Sequence, residues 1–284
     1  MICLLSHRTR YDFSRPVFLE PHLLRLLPRP DACQRVRALE VEISPEPAGR
    51  SLYTDLSGNA VLSVWFASLT GHLDVHVAAS VETLRKNPFD YLLEARQSVL
   101  PVPLAPGEAL VAAPCLAQTG LPDGAAAALA GRLIRDGADT PQTFVLALLG
   151  WMSENLVSVA REEPGLLSPD AVLAAGEGAC RDLALCYIAG CRHAGIPARF
   201  VSGYHEGDPE REERDLHAWA EAWLPGGGWR GFDPSLGLAV ADRHVAVAAA
   251  ADPADAAPVV GTFRGEAPSA RLTHAVRFQL AEAG

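Results

Sequence analysis

The stretch GEGACRDLALCYIAGC, residues 176–191, carries three of the chain's six cysteines within twelve positions. Three readings compete for it: a metal-ligand set, disulfide partners, or one nucleophile beside two core residues. The pattern around it separates them. Ser168-Pro169 opens a short helix, AVLAA, that Gly176 and Gly178 stop, and RDLALCYIAGCRHAG reads as a second helix ending at Gly195 before Pro197. Cys180 therefore stands at or beside a helix N-terminus, where unpaired N–H groups and the dipole favour an anion. A free thiol with a pKa of about 8.5 is mostly protonated at neutral pH, and such a position with a neighbouring imidazolium draws it toward thiolate. Cys186 and Cys191 sit in the apolar run LALCYIAGC and read as small core residues. At about 100° and 1.5 Å per residue, Cys186 is turned roughly 240° from Cys180, and Cys191 regains that face only about 16 Å away. The three sulfurs cannot hold one ion, and the chain has no C-x-x-C pair, so no metal and no cofactor are expected.

The rest of the chain bounds the setting. With 284 residues, 49% apolar and 20% charged, it is long enough for one large or two ordinary domains. A net charge of -10 argues against nucleic acid as a partner, which usually demands a basic stripe. The opening MICLLSHRTRYDF has too few apolar residues for a secretory signal, and no run of about 18 apolar residues suggests a membrane span. A cytoplasmic protein is expected, in whose reducing surroundings the cysteines are thiols and not a disulfide framework.

Residues 1–85 show short alternating runs (VRALEVEI, NAVLSVWF, HLDVHVAASVE) broken by SPEPAG, DLSGN and LTGH, the spacing of an antiparallel β-sandwich. Its histidines, His7, His22, His72 and His76, are scattered and read as structural. Residues 86–120 are rich in proline and irregular, a linker. A second domain over 121–284 begins with two helices, after Asp123 and at Thr140-Pro141, each with an N-cap residue before apolar residues at helical spacing.

A thiolate nucleophile needs a base, and the base an orienting group. After the Cys180 helix come a strand, ARFVSGY, a charged loop, HEGDPEREERD, and the segment LHAWAEAWLPGGGWRGFDPS. The last reads as a hairpin with His217, Trp219, Glu221 and Trp223 on one face and the glycine run as its turn. Antiparallel pairing then sets His217, near the start of one strand, beside Asp233 at the end of the other. Of the remaining histidines, His193 suits the C-terminal end of its helix dipole, His205 opens the charged loop with a place at the cleft as its lesser reading, and His274 shares an apolar face with Leu272, Val276 and Phe278 as a core residue.

GACRD, LHAWAEAWLP and GWRGFDPS together resemble the transglutaminase-like cysteine enzymes of bacteria, whose core carries G-V-C-Q-D, S-H-A-W-V-E and G-W-x-G-F-D-P. The 37 residues from Cys180 to His217 and the 16 more to Asp233 are similar to that family's spacing. The likeness extends through GIPARFVSGY and ADRHVAVAAAADPADAAPVVGTFRG. HRTRYDF, HLLRLLPRP and DLSGNAV are similar to the β-domain that commonly precedes the core. The resemblance implies an α+β chain, a β-sandwich followed by a papain-like core in which a nucleophile-bearing helix packs on an antiparallel sheet. It implies Cys180 as nucleophile, His217 as general base and acid, and Asp233 as the group orienting the imidazole, with Asp182 positioning the helix start. Trp219 is carried over as a supporting or substrate-binding residue. Arg181 stands where the family has Gln, Leu183 where it has Phe, and Leu216 where it has a small residue; a guanidinium beside the sulfur would suit an acidic substrate.

The reading is of an enzyme that attacks an amide of a peptide or protein through a thioester, a Cys-His-Asp peptidase or amidase, since the polar rim formed by Arg181 and HEGDPEREERD admits water. Transfer to an amine, as in a protein-glutamine transglutaminase, is the alternative, as is a binding protein without turnover. Oligomeric state and natural substrate are not legible in the motifs.

Overall fold

Alternation in the first 85 residues becomes strand because every second side chain has a core to enter. The computed structural model describes residues 1–93, 98–207, 215–266 and 269–281. Strands β1 (Ile2–Leu19), β2 (His22–Leu24), β3 (Gln34–Ser44), β4 (Gly49–Thr54), β5 (Ala60–Trp65) and β6 (Leu69–Thr83) follow one another. β6 shows the reason plainly: Leu73, Val75, Val77, Ala79 and Val81 are buried, with less buried His76, Ala78 and Ser80 between them. β3, β6 and β1 pair antiparallel in one sheet, β4, β5 and β2 in another. Val17, Leu19, Leu24, Leu26, Val64 and Val75 fill the space between them. This is the expected β-sandwich.

Residues 86–120, expected as irregular linker, contain a helix, α1 (Pro106–Leu116). Its start has the usual chemistry, proline at the first position and Glu108 accepting a hydrogen bond from the Ala105 N–H at 2.9 Å. Pro114 within it and prolines on either side hide it in the sequence. Helices α2 (Gly124–Arg135), α3 (Pro141–Asn155) and α4 (Pro169–Ala175) begin where the sequence places them, although Asp123 makes no side-chain cap at the start of α2. Thr140 and Ser168 accept hydrogen bonds from Thr143 N and Ala171 N. Two short parallel strands, β7 (Val157–Ser158) and β8 (Glu177–Gly178), lead into α5 (Cys180–His193).

Antiparallel strands β9 (Ala198–His205), β10 (His217–Leu224), β11 (Gly228–Asp233), β12 (Leu238–Ala239) and β13 (His244–Ala250) form one sheet in the order β12-β11-β10-β9-β13. α5 is buried nearly all round, consistent with its apolar sequence. Its Ala184, Cys186, Tyr187, Ile188 and Cys191 join Phe144, Leu148 and Met152 of α3 and Ala218, Ala220, Ala222 and Phe232 of the sheet in one core. Tyr187 stacks on Phe232 at 5.6 Å.

The second domain, expected to run to residue 284, closes instead near a single 3-10 turn at Pro253–Ala256. The chain then returns to the sandwich: β14 (Val259–Val260) pairs with β2, and β15 (Phe263–Arg264) and β16 (Ala270–Ala281) pair with β1. β1 has a second hydrogen-bonding edge to satisfy, and β16 covers it from Ile2↔Ala281 to Phe13↔Ala270. Alternation in RLTHAVRFQL does not reveal which sheet it joins. His274 is correspondingly not a core residue. Val276 and Phe278 are buried, but the His274 side chain is 50% exposed and lies 3.1 Å from Asp215.

The two domains are joined through β13, an edge strand of its sheet. Gln34 donates through Nε2 to the Ala246 carbonyl at 2.7 Å and accepts from the Ala246 N–H at 3.0 Å. Asn59 repeats this on Ala249 at 3.0 and 2.8 Å. Two buried amides thus take the place of a neighbouring strand. Cys3, Leu5, Ala79 and Val81 meet Tyr204, Val245 and Val247 beside them. Among the described residues no helix is long and apolar enough to cross a membrane.

Candidate active site

Local chemistry explains why Cys180 heads its helix. Gly176, at φ 74°, ends α4 in the left-handed conformation open to glycine, and its N–H bonds the Val172 carbonyl at 2.9 Å. Ala179 is extended and serves as N-cap, so Cys180 is the first residue of α5. Ala179 has no side-chain oxygen with which to cap. Asp182 supplies the closure, its Oδ2 accepting from the Ala179 N–H at 3.1 Å. The same fully buried carboxylate accepts from Arg161 Nε at 3.0 Å, from Arg161 Nη2 at 3.1 Å and from the Leu167 N–H at 2.9 Å. Asp182 therefore ties the helix start to the 161–167 segment.

Arg181 turns onto that segment as well. Its Nε donates to the Gly165 carbonyl, and its Nη2 to those of Arg161 and Glu163, at 2.6 to 3.1 Å. The expectation of a guanidinium free to meet an acidic substrate is corrected: these nitrogens brace a loop through its backbone.

The hairpin brings the other two residues together as its register requires. Ala220 pairs with Phe232, and the strands run on from there to His217 and Asp233 on the face opposite α5. His217 donates through Nε2 to Asp233 Oδ2 at 2.6 Å, which leaves Nδ1 for Cys180, whose sulfur is close enough to favour the imidazolium. Cys180 is partly exposed, the His217 side chain 17% exposed, and Asp233 fully buried. Asp233 Oδ1 accepts from Ser235 N and Oγ and from Leu236 N at 3.0, 2.6 and 3.2 Å, an Asx turn that the sequence Asp-Pro-Ser permits. Burial opposes charge on both partners. Hydrogen bonds and opposite charge outweigh it, pushing the His217 imidazolium up to about 10 and holding the Asp233 carboxyl well below its usual range.

One residue here had been given no role from the sequence. His244, the first residue of β13, also places its Nε2 on Asp233 Oδ2, at 3.1 Å, and is itself buried. Burial lowers its pKa despite the carboxylate. Its ring lies edge-on to Trp219 at 5.1 Å and 4.4 Å from that of His205. The one signal available was a histidine opening the otherwise apolar strand HVAVAAA.

Trp219 is 1% exposed, packed with Val201, Ala246 and Ala249 beneath these rings. It supports the imidazoles and cannot reach a substrate. Gly203 makes room for it, since a Cβ there would overlap both the Trp219 ring and the Val245 carbonyl. His205 borders the cluster, the lesser of its two readings, 5.9 Å from the His217 ring, with burial and the neighbouring imidazoles lowering its pKa to about 4. His193, in the last turn of α5, faces Asp123 at 3.2 Å. Of the charged loop before His217, residues 208–214 lie outside the described residues. Cys186 and Cys191 are core residues, and burial pushes the Cys186 thiol up to about 12.

Among the described residues, His217, Asp233 and His244 are the group whose ligand atoms could converge on a metal, all lying within 4.8 Å. Their spacing is that of hydrogen bonds. An ion about 2.0 to 2.2 Å from each ligand atom would hold those atoms more than about 3 Å apart, whereas the His217 contact is 2.6 Å.

Comparison with known proteins follows the same division of the chain. Residues 128–234 match the transglutaminase-like superfamily, and residues 4–82 the bacterial transglutaminase-like N-terminal region. An uncharacterised protein of Mycobacterium leprae is 27% identical over 91% of this chain and 92% of its own length. One of Mycobacterium tuberculosis is 28% identical over 90% and 86%. A protein-glutamine gamma-glutamyltransferase of Pseudomonas aeruginosa is 32% identical over 124 residues, 40% of this chain and 18% of that protein. A crystal structure of a candidate cysteine protease from Cytophaga hutchinsonii shares the fold, with a TM-score of 0.72 at 21% identity over 98% of both chains.

Proposed function

The chain belongs to the transglutaminase-like superfamily, and from that premise we propose that it is a peptidase or amidase working through Cys180, His217 and Asp233. The observation that carries the reading is the chain of contacts from a sulfur at a helix N-terminus, through one imidazole, to a fully buried carboxylate. The Cys180 thiolate attacks the amide carbonyl carbon, and the C=O electron pair moves onto oxygen. His217, cationic beside Asp233, delivers its Nδ1 proton to the amide nitrogen as the C–N bond breaks and a thioester forms. His217 then takes a proton from the incoming water, whose oxygen attacks the thioester. Collapse breaks the C–S bond and releases the acid and the thiolate. Asp233 holds the ring throughout and stabilises its charged form.

Water is the favoured acceptor. A transferase needs a dry apolar channel for a neutral amine, and Trp219, the aromatic nearest His217 on β10, is buried beneath the site and walls none. The similarity to the Pseudomonas aeruginosa gamma-glutamyltransferase favours the second reading, transfer to an amine. The two are separated by partitioning. An acyl donor such as a glutaminyl peptide is turned over at rising concentrations of a small primary amine, and free acid is measured against amide. Acid is expected to dominate at millimolar amine; a predominance of amide makes the enzyme a transferase. Absence of any turnover, with Cys180 unreactive to iodoacetamide at mildly acidic pH, would point instead to a binding protein.

A further inference from the structure

We propose that His244 is a positioning residue for the reaction assigned above: a permanently neutral Nε2–H donor that fixes Asp233 and restrains its pull on the proton of His217. Two imidazoles share one carboxylate oxygen, with His217 Nε2 at 2.6 Å and His244 Nε2 at 3.1 Å from Asp233 Oδ2. Both must donate, because a carboxylate only accepts. They differ in their surroundings. His217 has a second partner in Cys180 and reaches solvent, so it can carry and release a proton. His244 is 2% exposed, and its Nδ1 is buried with no hydrogen-bond partner among the described residues. A proton on Nδ1 would be a buried unpaired donor, so the ring is the neutral Nε2–H tautomer.

Burial and the charge of His217 favour that neutral state and outweigh the opposing pull of Asp233. His205 on β9 lies against the ring, His217 and Asp233 face it from β10 and β11, and Arg243, paired with Glu206, precedes it. The N-terminal domain meets β13 with the uncharged amides of Gln34 and Asn59, which clamp Ala246 and Ala249 and so fix the strand carrying His244. The consequence appears when His217 gives up its proton to the leaving group. His217 Nε2–H then remains on Asp233 Oδ2 but as a neutral donor, and the fully buried charge keeps its Asx-turn bonds on one oxygen. His244 keeps a charge-assisted bond on the other oxygen in both protonation states. By sharing that oxygen it also lowers its affinity for the His217 proton.

The inference rests on the assigned roles of His217 and Asp233, and its test has an arm that needs no substrate. Full-length protein labelled with 15N-histidine is compared as wild type, His244→Phe and His244→Gln. In His244→Phe the His217 Nε2–H proton is expected to move downfield as its bond to Asp233 shortens, with kcat falling about 10- to 100-fold and KM nearly unchanged. His244→Gln keeps an N–H donor and should restore the wild-type position and most of kcat. An unmoved His217 signal in the Phe variant, or equal shifts in Phe and Gln, overturns the proposal. Should the Phe variant fail to fold, the wild type decides: its His244 must stay neutral and Nε2-protonated from pH 5 to about 9, and any other tautomer or a titration there refutes it. If no acyl donor is turned over, the kcat arm falls with the assigned reaction while the spectroscopic arm still stands.

Discussion

Replacing Asp182 with Ala tests how the nucleophile is held. Its carboxylate is fully buried and accepts four hydrogen bonds, two from Arg161 and one each from the Leu167 and Ala179 N–H groups. Removing one partner of a buried ion pair costs about 3–5 kcal/mol. Here about 2 kcal/mol is the better figure on that scale, because Arg161 is 16% exposed and keeps its bonds to the Glu163 and Gly165 carbonyls. The two orphaned N–H groups add about 1 kcal/mol each at the low end of the usual penalty. A total near 4 kcal/mol is a large part of an ordinary stability of about 5–15 kcal/mol. Urea unfolding followed by tryptophan fluorescence measures it, and Arg161→Ala with the double variant measures the coupling. The double variant should be much less destabilised than the sum of the singles, because the pair is lost only once. A loss under about 1 kcal/mol for Asp182→Ala, or strict additivity, would refute the view that this carboxylate anchors the start of α5.

Three further outcomes follow from the geometry. Cys180→Ala should abolish turnover and leave the fold intact, whereas Cys186→Ala, made within the core, should cost about 1 kcal/mol with activity per folded molecule kept; equal activity losses at equal folded fraction would contradict this. Stability should be greatest near pH 6 to 7. His7 and His205 are held down to about 4 by burial, so the unfolded chain binds their protons first and stability falls from about pH 6.5 toward 4; His217 is pushed up to about 10, so its contribution is complete below about 6.5 and is lost as pH rises toward 10. Unfolding curves from pH 4 to 10 that rise or fall monotonically would contradict those assignments. Gln34→Leu should cost about 2–4 kcal/mol by orphaning the Ala246 N–H and removing a donor from its carbonyl, and an unchanged urea midpoint would show that the clamp is not needed.

Legibility in the sequence followed the range of the interaction. Helix starts are local, and Thr140-Pro141, Ser168-Pro169 and the Gly176 stop each acted within a few residues of where they stand. The hairpin was legible for the same reason, since a glycine turn fixes register and register sets His217 beside Asp233. Long-range pairing was not. The alternation in β16 specifies a strand but not its neighbour, so its return to β1 and the exposure of His274 were hidden. Arg181 shows the same limit at shorter distance. Its place next to Cys180 suggests a substrate contact, but its direction is set by carbonyls sixteen to twenty residues earlier.

His244 was hidden most completely, because everything that gives it meaning is distant in sequence. The carboxylate it bonds lies 11 residues back, and the amides that hold its strand lie about two hundred residues back, in the other domain. This also gives the N-terminal sandwich a structural part in the site. β13 is buried along its length, but its small alanine side chains resist sliding less than larger ones would. With Gln34 and Asn59 bonded to Ala246 and Ala249, a shift of β13 would break four buried hydrogen bonds, so the strand is held against sliding. The sandwich reaches the carboxylate through one strand and one imidazole, which is why loosening Gln34 should disturb the neighbourhood of Asp233 without touching any residue of the cleft.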